Sequence, residues 1–416
     1  MKPITARKVE LWPIDRLKPH PDNPRSHPEA QIAQLAKSIE TFGFTHPVIA
    51  DENDYILAGH GKVLGARCAG LTEVPVIVIP DLTETEKLLY LVADNQLAFN
   101  SDWNEKLQGL IADLEKRVGN LDLTGFRPQN IDQILADLAP EQESWIDEDQ
   151  IPETKSSITM PGDLWILGRH RLLCGDAKYP ESYQRLLEGT AAAMTFADAP
   201  YNVNYTQRRR GAGVIKIAND NLGGEFGEFL ESVCEQVLRV TQGAVYICMG
   251  SSELHTLYQA FKAAGGHWST FIIWVKDGFT LGRSDLQRQY ECILYGWKSG
   301  QDHYWCGARD ESDVWQVAKP KRNRLHPTAK PVALVERAIR NSSKRGELVL
   351  DPFGGSGSTL IAAEKSGRRA AMMELEPKYV DVMIQRWEAY TQQKAKLESD
   401  GRSYAAVTAE RSLRAA

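Results

Sequence analysis

The chain has 416 residues with a net charge of −6, of which 42% are hydrophobic and 25% charged, as expected for a globular protein with room for two or more domains. It contains no run of about 18 apolar residues and no apolar leader, so the sequence predicts neither a membrane span nor export. The six cysteines lack paired or histidine-associated spacing, which argues against metal sites and disulfides and favours a reducing cytoplasm.

The first part of the chain alternates short strands and helices. Branched residues bounded by turns predict strands at 47–50, 55–58 and 74–79. Apolar spacing and turn residues predict helices at 29–39, about 62–70, 83–94 and 104–117. This order indicates a small α+β domain with trailing helices over residues 1–139.

An acidic segment follows at residues 140–161, with six acidic residues against one lysine. Its charge and its Pro and Ser content are typical of a solvated linker, and the alternative is a DNA-mimicking inhibitory segment. The remaining residues, 162–416, carry +5 in net charge. We therefore expect this last part of the chain to contact phosphates.

From Gly162 the pattern becomes α/β. Strands are predicted at 193–197, 244–249, 271–275, 292–296 and 348–350, and helices at 226–238, 254–264 and 333–342. Such alternation predicts a Rossmann-like, mostly parallel sheet with helices on both faces. We assign it to residues 162–392 and expect residues 393–416 to form a flexible C-terminal tail.

One strand of this part runs directly into a glycine-rich turn, Asp351-Pro352-Phe353-Gly354-Gly355-Ser356-Gly357-Ser358, and then into a helix. A second strand ends at Glu374, 19 residues after Gly355, where an acid can reach ribose hydroxyls. No phosphate-binding G-x-x-x-x-G-K-[ST] is present, and Asp351 would repel a pyrophosphate. The pattern favours a cationic nucleoside cofactor, and an ordinary tight turn is the alternative.

An earlier strand delivers Asp198-Ala199-Pro200-Tyr201 to the carboxyl edge of the predicted sheet, where ligands of open α/β sheets bind. A base amine is a poor nucleophile, and two acceptors can aim its lone pair at a methyl donor. The Asp198 carboxylate and the Ala199 carbonyl are such acceptors, and Tyr201 can stack on an extruded base. The alternative is a strand-ending proline turn. The chain has no Pro-Cys, which argues against methylation of a ring carbon.

These segments resemble the amino-methyltransferases of DNA, which act on adenine N6 or cytosine N4. Asp198–Tyr201 resembles the DPPY-type catalytic motif, and Phe353, Gly355 and Gly357 resemble the F-x-G-x-G cofactor motif. The catalytic motif comes first, as in the permuted β-group. The resemblance implies a class I methyltransferase fold, S-adenosylmethionine as cofactor and double-stranded DNA as substrate, as in restriction-modification enzymes.

Further motifs extend the resemblance across about residues 162–390. Leu172–Ala177 resembles the motif whose aspartate, here Asp176 followed by Ala177, contacts the cofactor adenine. His326–Pro331, with Thr328 and Lys330, resembles the cofactor-tail motif. The family usually has proline at Ala199, where alanine keeps the carbonyl that is used. Asp198, where cytosine enzymes more often have serine, resembles the adenine-specific members.

Residues 8–98 resemble the ParB/sulfiredoxin-like domain, on the basis of Leu17–Arg25, Gly43-Phe44 and the turn Gly59-His60-Gly61-Lys62. ParB proteins usually carry Gly-Glu-Arg-Arg at that turn, so loss of the arginines argues against nucleotide hydrolysis. A glycine turn with a lysine at a helix start can bind a phosphate. Binding of a nucleotide or DNA backbone, a scaffold role and a nuclease remain open.

Two basic clusters flank the motifs and are expected to contact DNA phosphates, with a solvated surface as the alternative. They comprise Arg208, Arg209, Arg210, Lys319, Lys321, Arg322 and Arg324. The sequence thus predicts an adenine-specific DNA methyltransferase without a metal, encoded by a bacterium or a phage and located in the cytoplasm with the nucleoid. Cytosine-N4 methylation, a non-catalytic ParB-type regulator and a homodimer are alternatives left open.

Overall fold

The chain divides into two units, residues 1–138 and 139–416, in a computed structural model. The structure describes residues 7–97, 106–118, 121–126, 130–132, 134–135, 148–152, 157–204, 206–209, 213–216, 219–279, 285–307, 311–318 and 329–415. No described helix is long and apolar enough to cross a membrane.

The N-terminal unit contains a four-stranded sheet in the order β1-β4-β2-β3. Its strands are β1 (Val9–Pro13), β2 (Val48–Ala50), β3 (Ile56–Ala58) and β4 (Glu73–Val78). Its helices are α1 (Glu29–Phe42), α2 (His60–Cys68), α3 (Glu84–Leu97) and α4 (Lys106–Val118). Alternate residues of the strands, such as Val48 and Val76, pack on Val63 and Ala66 of α2 and form the core.

The C-terminal unit is built on a ten-stranded mixed sheet. Its strands are β5 (Leu164–Leu167), β6 (His170–Cys174), β7 (Met194–Asp198), β10 (Val245–Met249), β11 (Gly266–Val275), β12 (Tyr290–Lys298), β13 (Val314–Gln316), β14 (Leu348–Asp351), β15 (Arg369–Glu374) and β16 (Lys396–Leu397). A separate hairpin pairs β8 (Thr206–Arg209) with β9 (Gly213–Lys216). The helices are α5 (Pro180–Leu187), α6 (Phe226–Val240), α7 (Leu254–Ala263), α8 (Val332–Ser342), α9 (Ser358–Lys365), α10 (Pro377–Thr391) and α11 (Tyr404–Ala415).

The strand order is β13-β11-β12-β10-β7-β14-β15-β6-β5-β16, and the five strands from β10 to β6 are parallel. Their side chains alternate between two cores, as buried strands require. Phe196 and Tyr246 share a core with α8, α9 and α10, whereas Ala197 and Ile247 share one with α5, α6 and α7. The predicted α/β sheet with helices on both faces is confirmed, and its antiparallel strands lie at the two edges.

The C-terminal tail was predicted wrongly. Residues 393–416 include β16, which pairs with β5, and α11, whose Tyr404 and Val407 are buried. Tyr404 packs edge-on against Trp165, so this segment completes the core. The spaced apolar residues of a short amphipathic helix gave too weak a signal in a polar sequence.

The acidic segment also departs from the expectation of a solvated linker. Within its described residues, Ile151 and Ile158 are buried, and Glu148 pairs with Lys365 on α9. The buried Asp381 of α10 accepts hydrogen bonds from the backbone N–H groups of Ile158 and Thr159. Part of the segment is therefore packed on the C-terminal unit.

Candidate active site

The carboxyl ends of the parallel strands meet at one edge of the sheet, and a cavity of about 420 Å³ opens there. Because β7, β14 and β15 are adjacent and parallel, they bring Asp198, Asp351 and Glu374 to the same edge. The cavity is lined by Asp176, Ala177, Asp198, Ala199, Pro200, Tyr201, Lys276, Glu291, Lys330, Asp351, Phe353, Gly355 and Glu374, among others. Residues predicted for the cofactor and for the target amine thus share one cavity.

The glycine turn between β14 and α9 depends on two left-handed residues. Gly355 and Gly357 have φ of 51° and 84°, values that side chains other than glycine rarely adopt. A Cβ on Gly357 would lie 2.8 Å from Cγ of Met383, so the turn is closely packed on α10. These two positions explain why the turn is glycine-rich and leaves its backbone open to the cavity.

Two carboxyl groups hold this turn in place. The Phe353 N–H and the Thr359 hydroxyl donate to Asp351, at 2.9 and 2.6 Å. The N–H groups of Gly355 and Glu376 donate to the two oxygens of Glu374, at 2.8 and 2.9 Å. Burial raises the pKa of Asp351 to about 7 and also raises that of Glu374. Both carboxyl groups are therefore held in position beside the cavity, but their hydrogen bonds do not fully offset the cost of burying a negative charge.

Asp198 lies in a network of charges rather than facing the cavity alone. Its Oδ1 accepts from the Lys330 ammonium at 2.6 Å and from the Tyr201 hydroxyl at 3.2 Å. Burial raises the pKa of Asp198, while Lys330 opposes that rise. The contacts described for Asp198 all fall on Oδ1, so among the described residues Oδ2 keeps its acceptor capacity for a further donor.

Glu291 and Lys276 complete this network, and the sequence did not single them out. The Lys330 ammonium lies 3.2 Å from Glu291 Oε2, which also accepts from the Tyr201 hydroxyl at 3.0 Å, and Lys276 pairs with Glu291 Oε1. Burial alone would raise the pKa of Glu291, but the two lysines lower it to about 2. The strand order brings them here because β11 ends, and β12 begins, at this edge. The only signal in the sequence is a charged residue at the end of each strand.

Tyr201 is held in place through both its backbone and its ring. Its backbone N–H donates to Asp220 Oδ1 at 2.9 Å, and the Lys330 ammonium lies 5.1 Å from the ring centroid. Burial raises the pKa of the Tyr201 hydroxyl well above its ordinary value, so the hydroxyl remains a donor. Asp220, 19 positions further along the chain, is a third residue that the sequence did not reveal.

The remaining predicted residues fall into three groups. Asp176 and Ala177 follow β6 and line the cavity, where the Lys178 N–H donates to Asp176 at 3.0 Å. Lys330, predicted for the cofactor tail, lies in the same cavity but contacts Asp198 and Glu291. Arg208 and Arg209 lie on the hairpin strand β8, which follows the Asp198–Tyr201 turn.

Several predicted residues lie outside the described part of the chain, and their roles stay predictions. These are Arg210, Lys319, Lys321, Arg322, Arg324 and Thr328. Within the part that is described, no group of three or more His, Cys, Asp or Glu side chains could hold a metal ion.

Comparison with known proteins gives two family matches. The DNA methylase family matches residues 192–386, and the ParB N-terminal domain matches residues 2–95. The chain is 30% identical over 227 residues to the type II methyltransferase M2.DpnII of Streptococcus pneumoniae, covering 47% of this chain and 82% of that protein. It is 44% identical over 80 residues to the ParB-like nuclease domain-containing protein YnaK of Escherichia coli (strain K12), covering 19% of this chain and 92% of that protein.

Among solved structures, the crystal structure of the M1.HpyAVI-SAM complex is similar over 52% of this chain and 98% of that one. The two are 20% identical, with a TM-score of 0.40.

Proposed function

The chain belongs to the DNA methylase family, with a ParB N-terminal domain ahead of its methylase part, and from this premise we propose that it methylates the exocyclic amine of adenine in DNA. The methyl donor in this proposal is S-adenosylmethionine, and the adenine is flipped out of double-stranded DNA. The observation that carries the proposal is the single cavity lined by both the Asp198–Tyr201 turn and the glycine turn. A methyl donor and an amine must meet in one space for a direct transfer.

The cavity walls suit the cofactor chemically. Each oxygen of Glu374 accepts one backbone N–H and keeps acceptor capacity for a ribose hydroxyl. Asp351 and Asp176 add negative charge, which favours a sulfonium and the ammonium of an amino-acid tail. S-adenosylmethionine, when bound, supplies an electrophilic methyl group on sulfur. Glu374, Asp351 and Asp176 are the residues that we expect to hold it.

The residues around Asp198 suit an amine nucleophile. Asp198 Oδ2 and the Ala199 carbonyl each accept a hydrogen bond from the amine. These two bonds direct the nitrogen lone pair towards the methyl carbon. The methyl group would then pass from the sulfonium to the amine nitrogen, the electron pair of the former C–S bond would stay on sulfur, and Asp198 Oδ2 would accept the proton that the amine releases. The Tyr201 ring stacks on the base, and Lys330 and Glu291 hold its hydroxyl and Asp198 in place.

Adenine is the finer part of the proposal. It is supported by Asp198 in the first position of the motif, where the cytosine-N4 enzymes more often carry serine. Cytosine-N4 methylation is the second candidate, since the same two acceptors would orient either amine.

For the N-terminal unit, we propose that nucleotide or DNA backbone binds at the start of α2, where Gly59 is left-handed and Lys62 follows.

One experiment tests the reaction and the base together. The full chain is incubated with unmethylated double-stranded DNA and labelled S-adenosylmethionine, and the DNA is digested to nucleosides for mass analysis. We expect N6-methyl-2′-deoxyadenosine. A label on cytosine would replace the adenine assignment, and no transfer by the wild type would reject the reaction.

The variant Asp198→Ala should reduce transfer about 100-fold or more, because an acceptor for the amine is lost. Asp400→Ala removes an exposed aspartate paired with Arg402 and serves as the matched control. Asp198→Ala should still bind the cofactor in calorimetry. Undiminished transfer by Asp198→Ala would refute the role given to this carboxylate, and a non-catalytic ParB-type regulator would show neither transfer nor cofactor binding.

A further inference from the structure

Residues 148–151 of the acidic segment, which we call the linker strap, contact elements that form the cavity through Glu148 and Asp149. They lie between the two family-matching parts of the chain, residues 2–95 and 192–386. Ile151 is buried, and Glu148 pairs with Lys365, so the strap is held at both ends. It is therefore a packed part of the C-terminal unit.

The first contact of the strap is with the start of α8. The Val332 N–H, at the first residue of that helix, donates to Asp149 Oδ1 at 3.0 Å. Pro331 precedes the helix and gives it no side-chain cap, so Asp149 supplies the acceptor from another part of the chain. A carboxylate is also favoured at the positive end of a helix. Lys330, whose ammonium contacts Asp198, lies two residues before Val332.

The second contact reaches the glycine turn through Arg386 of α10. This buried guanidinium donates to the Glu148 carbonyl at 2.7 Å and to the Ser356 carbonyl at 2.8 Å. Ser356 lies between the two left-handed glycines and lines the cavity. One side chain thus joins the strap to the turn that is proposed to hold the cofactor.

The two contacts converge on the same structure. The Ser358 hydroxyl donates to the Lys330 carbonyl at 2.6 Å, so the Lys330 segment and the glycine turn are also joined to each other. Without the strap, the Val332 N–H would lose the Asp149 carboxylate as its acceptor, and Arg386 would lose the Glu148 carbonyl. The Lys330 segment and the glycine turn, which form two walls of the cavity, would then be held less firmly. If the walls then spend part of their time in other arrangements, the apparent cofactor affinity falls by the competent fraction.

We propose that the linker strap is a positioning element of the cofactor site, in which Asp149 and the Glu148 carbonyl hold the Lys330 segment and the glycine turn in the binding arrangement. This inference rests on the proposed function, because it takes S-adenosylmethionine as the ligand. It assigns Asp149 and Arg386 as positioning residues that act through Lys330 and Ser356. It also places part of the cofactor site outside the DNA methylase match.

The test compares Asp149→Ala and Asp149→Asn in the full chain. Alanine removes the acceptor, whereas the asparagine side-chain oxygen can still accept from Val332. We expect the Kd for S-adenosylmethionine, measured by calorimetry, to rise about 3- to 10-fold in Asp149→Ala and to stay near the wild-type value in Asp149→Asn. Glu86→Ala is the control, since it removes a similar helix-start contact with the Thr83 N–H in the N-terminal unit.

A readout without cofactor separates positioning from general loss of structure. Hydrogen exchange should accelerate at the Val332 amide in Asp149→Ala, with the central strands unchanged. The positioning role of the strap is refuted if Asp149→Ala binds S-adenosylmethionine as tightly as the wild type. It is also refuted if Asp149→Asn and Glu86→Ala lose as much affinity as Asp149→Ala. Either result leaves the proposed function standing. A wild-type chain that binds no S-adenosylmethionine overturns the proposed function and, with it, this assignment.

Discussion

Two lysines, Lys330 and Lys87, are each surrounded by carboxylates, and Lys330 also lines the cavity described above. Lys87 in the N-terminal unit is 2% exposed and contacts Asp51, Glu52 and Glu84 at 2.9 to 3.1 Å. Asp51 Oδ1 also accepts from two backbone N–H groups, whereas the Glu52 and Glu84 side chains are exposed to solvent. Lys330 instead links Asp198 and Glu291 beside the cavity.

The comparison teaches that a buried ion cluster indicates function only through what it faces. The two clusters share one physical principle. Each buried lysine stays charged because carboxylates replace the water that its ammonium has lost. The pKa of Lys330 and that of Lys87 are both raised. We expect the Lys87 cluster to act on stability, whereas the Lys330 cluster holds groups that a substrate could contact.

The largest expected effect separates the two clusters. Glu291→Gln and Asp51→Asn should each lower the free energy of unfolding by about 3 kcal/mol, because each leaves a buried lysine short of one carboxylate. Methyl transfer, measured on protein that is still folded, should fall only in Glu291→Gln. Equal loss of transfer in both variants would break the distinction.

The pH dependence of Glu291 gives a further check on that variant. Its pKa is lowered from 4.5 to about 2, so its stabilising effect is present above pH 4.5 and is lost as the pH falls towards 2. The stability difference between wild type and Glu291→Gln should therefore be constant near pH 7 and shrink below pH 4.5. Urea unfolding at several pH values measures it.

Glu374→Ala should have the next largest effect, on cofactor affinity. Loss of a carboxylate that we propose to bond to the ribose hydroxyls should raise the Kd for S-adenosylmethionine about 10- to 100-fold. Glu52→Ala in the Lys87 cluster is the matched control and should bind the cofactor normally. Unchanged affinity in Glu374→Ala, by calorimetry, would remove Glu374 from the site.

Two left-handed glycines at helix starts offer a smaller contrast. Gly357→Ala and Gly59→Ala should each cost about 1 kcal/mol from the positive φ alone. Gly357→Ala should cost more, because its Cβ would lie 2.8 Å from Met383, whereas the nearest atom to a Cβ on Gly59 is 3.6 Å away. Thermal unfolding of both variants checks the order, and a larger loss in Gly59→Ala would contradict it.

Asp351 predicts a modest pH dependence of cofactor binding. Burial raises its pKa to about 7, so it is largely protonated at pH 6 and must ionise to pair with a cation. Affinity for S-adenosylmethionine should rise a few-fold from pH 6 to pH 8 in the wild type. The same titration in Asp351→Asn should be flatter, and an identical slope would exclude this carboxyl as the cause.

The smallest effect is expected at Ala199. Alanine and proline offer the same backbone carbonyl, so Ala199→Pro should leave methyl transfer equal or slightly higher. Proline also restricts the unfolded chain, which favours the folded turn. Ala199→Gly provides the comparison in the flexible direction. A marked loss of transfer in Ala199→Pro would mean that the turn needs the alanine backbone.

Much of the fold followed from the sequence because its signals are local. The glycine turn, the strand that ends at Asp198 and the acid at Glu374 are each set by a few neighbouring residues and the alternation of strands and helices. The helix α11 was missed because its apolar face is short and is recognisable only when packed on Trp165. Part of the acidic segment was misread as solvated because charge alone does not reveal the lysine and helix start that it contacts.

The sequence by itself indicated the family, the order of its motifs and the candidate residues Asp198, Tyr201, Gly355 and Glu374, because these are read from adjacent positions. Only the tertiary structure decided that Glu291, Lys276 and Lys330 converge on Asp198, and that Asp149 caps the helix after Lys330. These partners come from separate strands and from the linker: Lys330 lies 132 positions from Asp198, and Val332 lies 183 positions from Asp149. Their attraction depends on burial and on distances of about 3 Å, which a sequence pattern cannot specify.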